Sequence, residues 1–430
     1  MRSIAFAARA DLRGVILAPA LTLAAAFAQP AGAAAGLAGT MTLEGVLSTI
    51  RAANPELSAM RARIAGAAAA SLKDSAYPNP SLEMEQSRPD SSQSGELRLT
   101  QPIVMSRRRS LARGAARAEI GALKKELLAK EAVLSAAAKK DYFALRLAEE
   151  RIRFEESNRT FALNVLNKVQ ARLLVGEART MDAARAKVEL DLTRFHLEEA
   201  KARMLLARAR LNEAMGRRPD EPLSFPADDP NVLQPPQDER DFDRYLAEAL
   251  AGRLDIQAAG LRQEAAGLSL RLERNRRRPD VSIGFARARE SSVCFNKFSL
   301  GVELPLWYRN KGEVESAQAR VSVRDEERRG AERAASYEVY SSWLGRSLAR
   351  TRISVMKKNV LAVDELRENN SREYLSGKID LTAYYEGNRI FLEQNLDYLD
   401  ALQEYHDKDI ELEQVLSASL SRSAPSISLQ

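Results

Sequence analysis

The sequence predicts a mainly α-helical chain made of two copies of a long helical hairpin. Each copy carries two short membrane β-strands, and three chains are needed to complete a twelve-stranded barrel. Three observations predict this. Breaking and turning residues recur at a nearly constant offset: Pro80 and Pro279 lie 199 residues apart, Pro102 and Pro305 203, Gly176 and Gly377 201. Between them run stretches of roughly 70 residues whose apolar positions recur at steps of three, four and seven, the repeat of one helix face. Each copy also holds two short segments in which polar and apolar residues alternate, the repeat of a strand with one wet side.

Composition agrees and excludes much else. Of 430 residues, 45% are hydrophobic and 29% charged, but only 6% are aromatic. That is the balance of long helices rather than of large globular cores. The 65 Lys and Arg against 59 Asp and Glu leave a net +6 spread along the chain, without the basic block of a nucleic-acid binder. A single cysteine, Cys294, rules out an intrachain disulfide and a cysteine-based zinc site. His196 and His406 stand apart with no second ligand at turn spacing, so no metal site is expected, nor any cofactor. No nucleophile–base set or phosphate loop occurs, and the chain is not expected to be an enzyme.

In order along the chain, Arg2 and Arg13 precede the apolar run Val15–Ala28, and small residues follow. This reads as a signal peptide over 1–28, with a tail over 29–41. The first repeat covers 42–216. A helix runs from Thr42 to Ala76 and stops at Tyr77-Pro78-Asn79-Pro80; a β-hairpin fills 81–101, ending at Pro102. A long helix spans 106–175, with its stripe through Leu123, Leu127, Leu134, Ala138, Tyr142, Leu145, Ala148 and Ile152. Gly176 breaks it, and a second helix covers 180–215. A Pro- and Asp-rich connector occupies 217–240. The second repeat, 241–417, has the same order: a helix from Asp241 to Arg276, a hairpin over 280–304, a long helix over 310–376, a break at Gly377 and a helix over 381–417. Residues 418–430 form a tail.

A helix of 70 residues is roughly 100 Å long and must bury its stripe against neighbouring helices, because no single globular core reaches that far. The strands add a second constraint. Each hairpin allows two strands of about 9–11 residues, the length that crosses a bilayer as tilted β. Leu82, Met84, Leu97, Leu99, Val281, Ile283, Phe285, Phe298, Leu300 and Val302 would share one face; Glu83, Glu85, Glu96, Arg98 and Glu303 would lie on the other. Apolar outside and charged inside is the pattern of a water-filled barrel. Four strands cannot close, and open edges do not persist in lipid, so chains must pool strands. Two chains give a filled barrel; three give one with an open lumen, and a homotrimer is expected.

With its duplication, proline-flanked hairpins and glycine-bearing helix turns, the chain from about Thr42 to Ser417 resembles the TolC-type outer-membrane efflux proteins. The resemblance implies a trimeric channel with a twelve-stranded barrel in outer-membrane lipid and a helical tunnel crossing the periplasm. It also implies a membrane-fusion adaptor and an inner-membrane pump, a proton-driven exporter, as partners. The connector would lie at the equator. Gly176 and Gly377 would mark the periplasmic tips where the adaptor docks. Asp182, Tyr374 and Glu386 match gate or entrance positions; a second entrance acid falls on Ala383, and the gate arginine falls on Ile379, with Lys378 one residue before it. Pro80, Pro102, Pro279 and Pro305 would mark the strand–helix boundaries. There the runs Arg107-Arg108-Arg109 and Arg276-Arg277-Arg278 either meet lipid headgroups or cap solvated helix ends. Trp307 and Tyr308 either anchor at the interface or simply pack. The implied function is a passive efflux duct with a gated entrance. An exit duct for type I protein secretion is the alternative within the class, and a periplasmic structural coiled coil the alternative outside it.

Overall fold

The computed structural model describes residues 41–87, 94–104, 107–226, 230–233, 241–290, 293–304 and 306–416. The signal-peptide segment, the C-terminal tail, Pro305, the tip of the first hairpin and parts of the connector lie outside the described residues.

The chain order is α1 (Leu43–Ala53), α2 (Pro55–Ser75), β1 (Ser81–Ser87), β2 (Ser94–Ile103), α3 (Arg108–Leu174), α4 (Thr180–Ala214), α5 (Pro230–Leu233), α6 (Phe242–Gly252), α7 (Leu254–Asn275), β3 (Val281–Glu290), β4 (Val293–Val302), α8 (Lys311–Leu375) and α9 (Leu381–Leu416). Two expected helices are each divided. In the first repeat the division falls at Asn54-Pro55. Proline has no N–H to continue α1, and Asn54 Oδ1 accepts the Glu56 and Leu57 N–H groups at 2.9 and 3.3 Å, starting α2 afresh. In the second repeat no proline does this. Arg253 adopts an extended backbone, and its buried guanidinium bridges Asp255 and Glu338, each at 2.7 Å.

The duplication is visible in packing. α1–α2 and α4 lie along α3, α6 and α9 lie along α8, and α7 packs against both long helices. The shorter helices of each set meet near the middle of the long one. Val46, Leu47 and Ile50 of α1 join Leu211 and Met215 at the end of α4 around Tyr142 and Leu145 of α3. In the second copy Tyr245 and Ala249 of α6 join Leu412 and Leu416 of α9 around Val339 of α8. The connector fills the middle: Phe225 packs beside Tyr142, and Val232 packs with Leu147, Ile353 and Tyr405. Each long helix is therefore held by a chain of small clusters.

All four strands form one antiparallel sheet in the order β1-β2-β3-β4. The register sets Leu82 opposite Leu99, Leu99 opposite Phe285 and Phe285 opposite Phe298. Alternation then places Met84, Leu97, Ile283 and Leu300 on the same face.

Candidate functional site

The two faces of the sheet differ over its helix-proximal part, while toward the hairpin ends Arg287 and Arg289 share the apolar face and Val293 and Phe295 the charged one. On one, Leu82, Met84, Phe298 and Leu300 are exposed, Phe298 at 82%. On the other, Glu83, Glu85, Glu96 and Arg98 are joined by Lys297. Glu96 accepts from Arg98 at 2.6 Å and from Lys297 at 2.8 Å, linking β2 to β4 across β3. Ala286 and Ala288 between them are buried, their small side chains lying under the long charged ones. Sequence alternation did not reveal Lys297 as part of this network, because β4 does not alternate regularly around it. Only the register brings it beside Glu96. Among the described residues β1 and β4 each pair on one side only.

At the opposite end of the long helices, α3 turns into α4 and α8 into α9 through the same motif. Gly176 donates to the Leu173 carbonyl at 3.1 Å and Glu177 to Arg172 at 2.8 Å; Gly377 donates to Tyr374 at 3.1 Å and Lys378 to Glu373 at 3.0 Å. Each glycine has a left-handed backbone, φ 76° and 73°, which a side chain resists. Lys378 thus enters the turn through its backbone, and its side chain is exposed.

Asp182 and Tyr374 come together here. Tyr374 is buried, stacks on Tyr384 with centroids 4.6 Å apart, and lies under the Arg172 guanidinium. Burial pushes its phenol above the ordinary range; Arg172 opposes this and the nearby Asp182 charge adds to it. Asp182 Oδ2 also accepts the Arg179 N–H at 3.1 Å, closing the first turn of α4. In the second repeat the capping acid sits three positions earlier: Asp380 Oδ1 accepts the Ala383 N–H at 2.8 Å. Arg185 crosses from α4 to donate to Thr382 Oγ1 of α9 at 2.7 Å. Tyr385 is buried beside it, its phenol pushed well up by burial.

Glu386 is exposed and does not join this cluster. Arg389 clasps it at 2.5 and 3.2 Å and reaches Glu393 at 3.2 Å. That guanidinium holds the Glu386 carboxyl below the usual carboxylate range. Arg389 was missed in the sequence although its spacing of three from Glu386 was the available signal. Of the boundary prolines, Pro80 and Pro279 directly precede β1 and the Asp280–Val281 start of β3, while Pro102 lies inside β2 near its end. No group of three or more His, Cys, Asp or Glu able to hold a metal ion occurs among the described residues.

The comparisons follow from this architecture. The family model for outer membrane efflux protein matches residues 245–418, nearly all of the second repeat. That stretch of the chain is similar to the outer membrane efflux proteins. A curated relative, the cobalt-zinc-cadmium resistance protein CzcC of Cupriavidus metallidurans, is 22% identical over 384 residues, covering 88% of this chain and 90% of the relative. The open state of the MtrE outer membrane channel of Neisseria gonorrhoeae matches with a TM-score of 0.75 at 18% identity, over 89% of this chain and 91% of that one. A structure of CusC matches with a TM-score of 0.74 at 17% identity, over 87% and 91%. The duplicated helical hairpins and four-stranded sheet described above are thus a fold shared with these solved channels.

Proposed function

We infer that the protein is the outer-membrane channel component of a tripartite efflux system, a trimeric passive duct whose helices extend into the periplasm. The observation that carries this reading is the sheet: an exposed face that is apolar apart from Arg287 and Arg289 near the hairpin end, a charged opposite face and two edges unpaired among the described residues. Such a sheet is stable in lipid only when its edges are closed by other copies. Three copies of four strands give twelve, wide enough for a water-filled lumen lined by Glu83, Glu85, Glu96, Arg98 and Lys297. A soluble scaffold would instead bury Phe298 and Leu300 against a protein core.

The two glycine turns, at the ends of the helices farthest from the sheet, are the periplasmic tips. There an adaptor docks, and an inner-membrane pump, a proton-driven exporter, supplies the energy that the duct lacks. Asp182, Tyr374 and Lys378 hold the tip in one conformation, and Glu386 faces the entrance. The protein performs no chemistry on its cargo. Kinship with a cobalt-zinc-cadmium resistance protein favours metal ions as cargo, carried through without a resident binding site.

The test is fractionation followed by reconstitution. The mature chain partitions with outer membranes, migrates as a heat-dissociable trimer and opens discrete conductance steps in planar bilayers. A monomer in detergent with no conductance overturns the reading.

A further inference from the structure

The register brings residues distant in sequence to one end of the sheet. Ile103 at the end of β2 faces Val281 at the start of β3, which faces Val302 at the end of β4. Everything that leaves the strands there lies at one level: Arg107 at the start of α3, Arg277 and Arg278 after α7, and Arg309 before α8. All four arginines are exposed, and none has a carboxylate partner among the described residues. Their neighbours are fully engaged. Arg108 binds Asp280 and the Arg278 carbonyl, each at 2.6 Å, tying the start of α3 to the start of β3. Arg276 pairs with Glu273 at 3.0 Å. Fixed backbone with free guanidinium groups is the opposite of the long helices, where arginine after arginine finds an acid one turn away.

The same level carries exposed apolar groups. Leu304 and Leu306, just past β4, are exposed, Trp307 is 97% exposed, and Tyr308 stands beside it. Aromatic rings next to cations, directly below an apolar belt, match the depth at which headgroups meet acyl chains. Four cations per chain without an ion-pair partner among the described residues repel one another at that depth unless anions separate them.

We propose that this collar binds the phosphate groups of anionic phospholipid in the leaflet from which the helices emerge, and so fixes the depth of the barrel. The proposal rests on the membrane reading above. Guanidinium groups hold phosphate oxygens through paired hydrogen bonds, and Trp307 seats in the glycerol region beside them.

The chain has two tryptophans, Trp307 and Trp343, so Trp343→Phe leaves Trp307 as the only reporter. The full-length mature trimer carrying that change is placed in phosphatidylcholine vesicles doped with either brominated phosphatidylglycerol or brominated phosphatidylcholine. Trp307 emission is expected to show roughly a five-fold preference for the anionic quencher, falling toward unity at about 0.5 M salt. Adding Arg107→Gln, Arg277→Gln, Arg278→Gln and Arg309→Gln together removes the preference but leaves quenching by both lipids. Equal quenching by the two lipids before the arginines are changed overturns the proposal and leaves the membrane barrel standing. So does a preference that survives both salt and the four substitutions. Quenching by neither lipid in vesicles that carry the protein also overturns the proposal, whereas a chain that fails to float with the vesicles overturns the membrane reading itself.

Discussion

Glu386 is an exposed acid whose charge is already spoken for. Arg389 grips both carboxylate oxygens and extends to Glu393, so each chain presents one net negative charge from three ionised groups. If three such sites ring an entrance, removing the cation matters more than removing the acid. Arg389→Ala is expected to strengthen block of the channel by divalent cations roughly three-fold in planar bilayers, and Glu386→Gln added to it to reverse the gain. Asp407, in the C-terminal third of α9, has the opposite problem. Its Oδ1 is buried without a hydrogen-bond partner among the described residues, and burial raises its pKa. Asp141 and Glu411 add negative charge around it, while Lys140 and His406 partly offset them. A carboxyl whose folded pKa is raised binds its proton more tightly in the native state. Its charge therefore costs stability as pH rises through the window between the ordinary carboxylate range and the raised value, and the full cost persists above it. Asp407→Asn is expected to raise the melting temperature at neutral pH by roughly 2 °C and to flatten its dependence on pH in that window, as read by scanning calorimetry at several pH values.

The elements show how two sequences reach one architecture by different local means. The first repeat divides its opening helix with Asn54-Pro55, the second with a buried Arg253 held by Asp255 and Glu338. Asn54→Ala is expected to cost about 1 kcal/mol, felt as faster amide exchange at the start of α2 while α3 is unchanged. The first division could be suspected from a proline beside a capping residue. The second could not, because its cause is an ion pair to a residue 85 positions away. The same contrast runs through the chain. The long helices, the alternating strand faces and the glycine turns follow from periods and breakers, and those are local. Lys297 beside Glu96 and Arg172 over Tyr374 depend on register and on which helix lies alongside, and neither leaves a periodic trace. Asp182 and Tyr374 were legible only through a family resemblance. What the residues add is a local reason for each: one caps α4, the other packs the turn.

At the scale of the whole molecule, the open question is how the sheet edges close. The strand directions alternate, so β4 of one chain can meet β1 of the next in antiparallel pairing, and the pattern repeats around a three-fold axis without a parallel seam. The one cysteine makes this testable. Cys294 lies exposed in β4 opposite Arg289, on the same face as the apolar residues. If β4 meets β1 of a neighbour, a cysteine placed on that face of β1 can reach it, and one on the charged face cannot, since successive side chains point to opposite sides. A series along β1 is therefore expected to give a two-residue period. At least one of Leu82→Cys, Met84→Cys and Gln86→Cys cross-links under mild oxidation, with dimer and trimer bands on non-reducing gels, while Glu83→Cys and Glu85→Cys stay monomeric. Shear around the barrel decides which even position reacts, but not the period. Cross-linking of every position alike, or of none, means that the edges meet something other than each other.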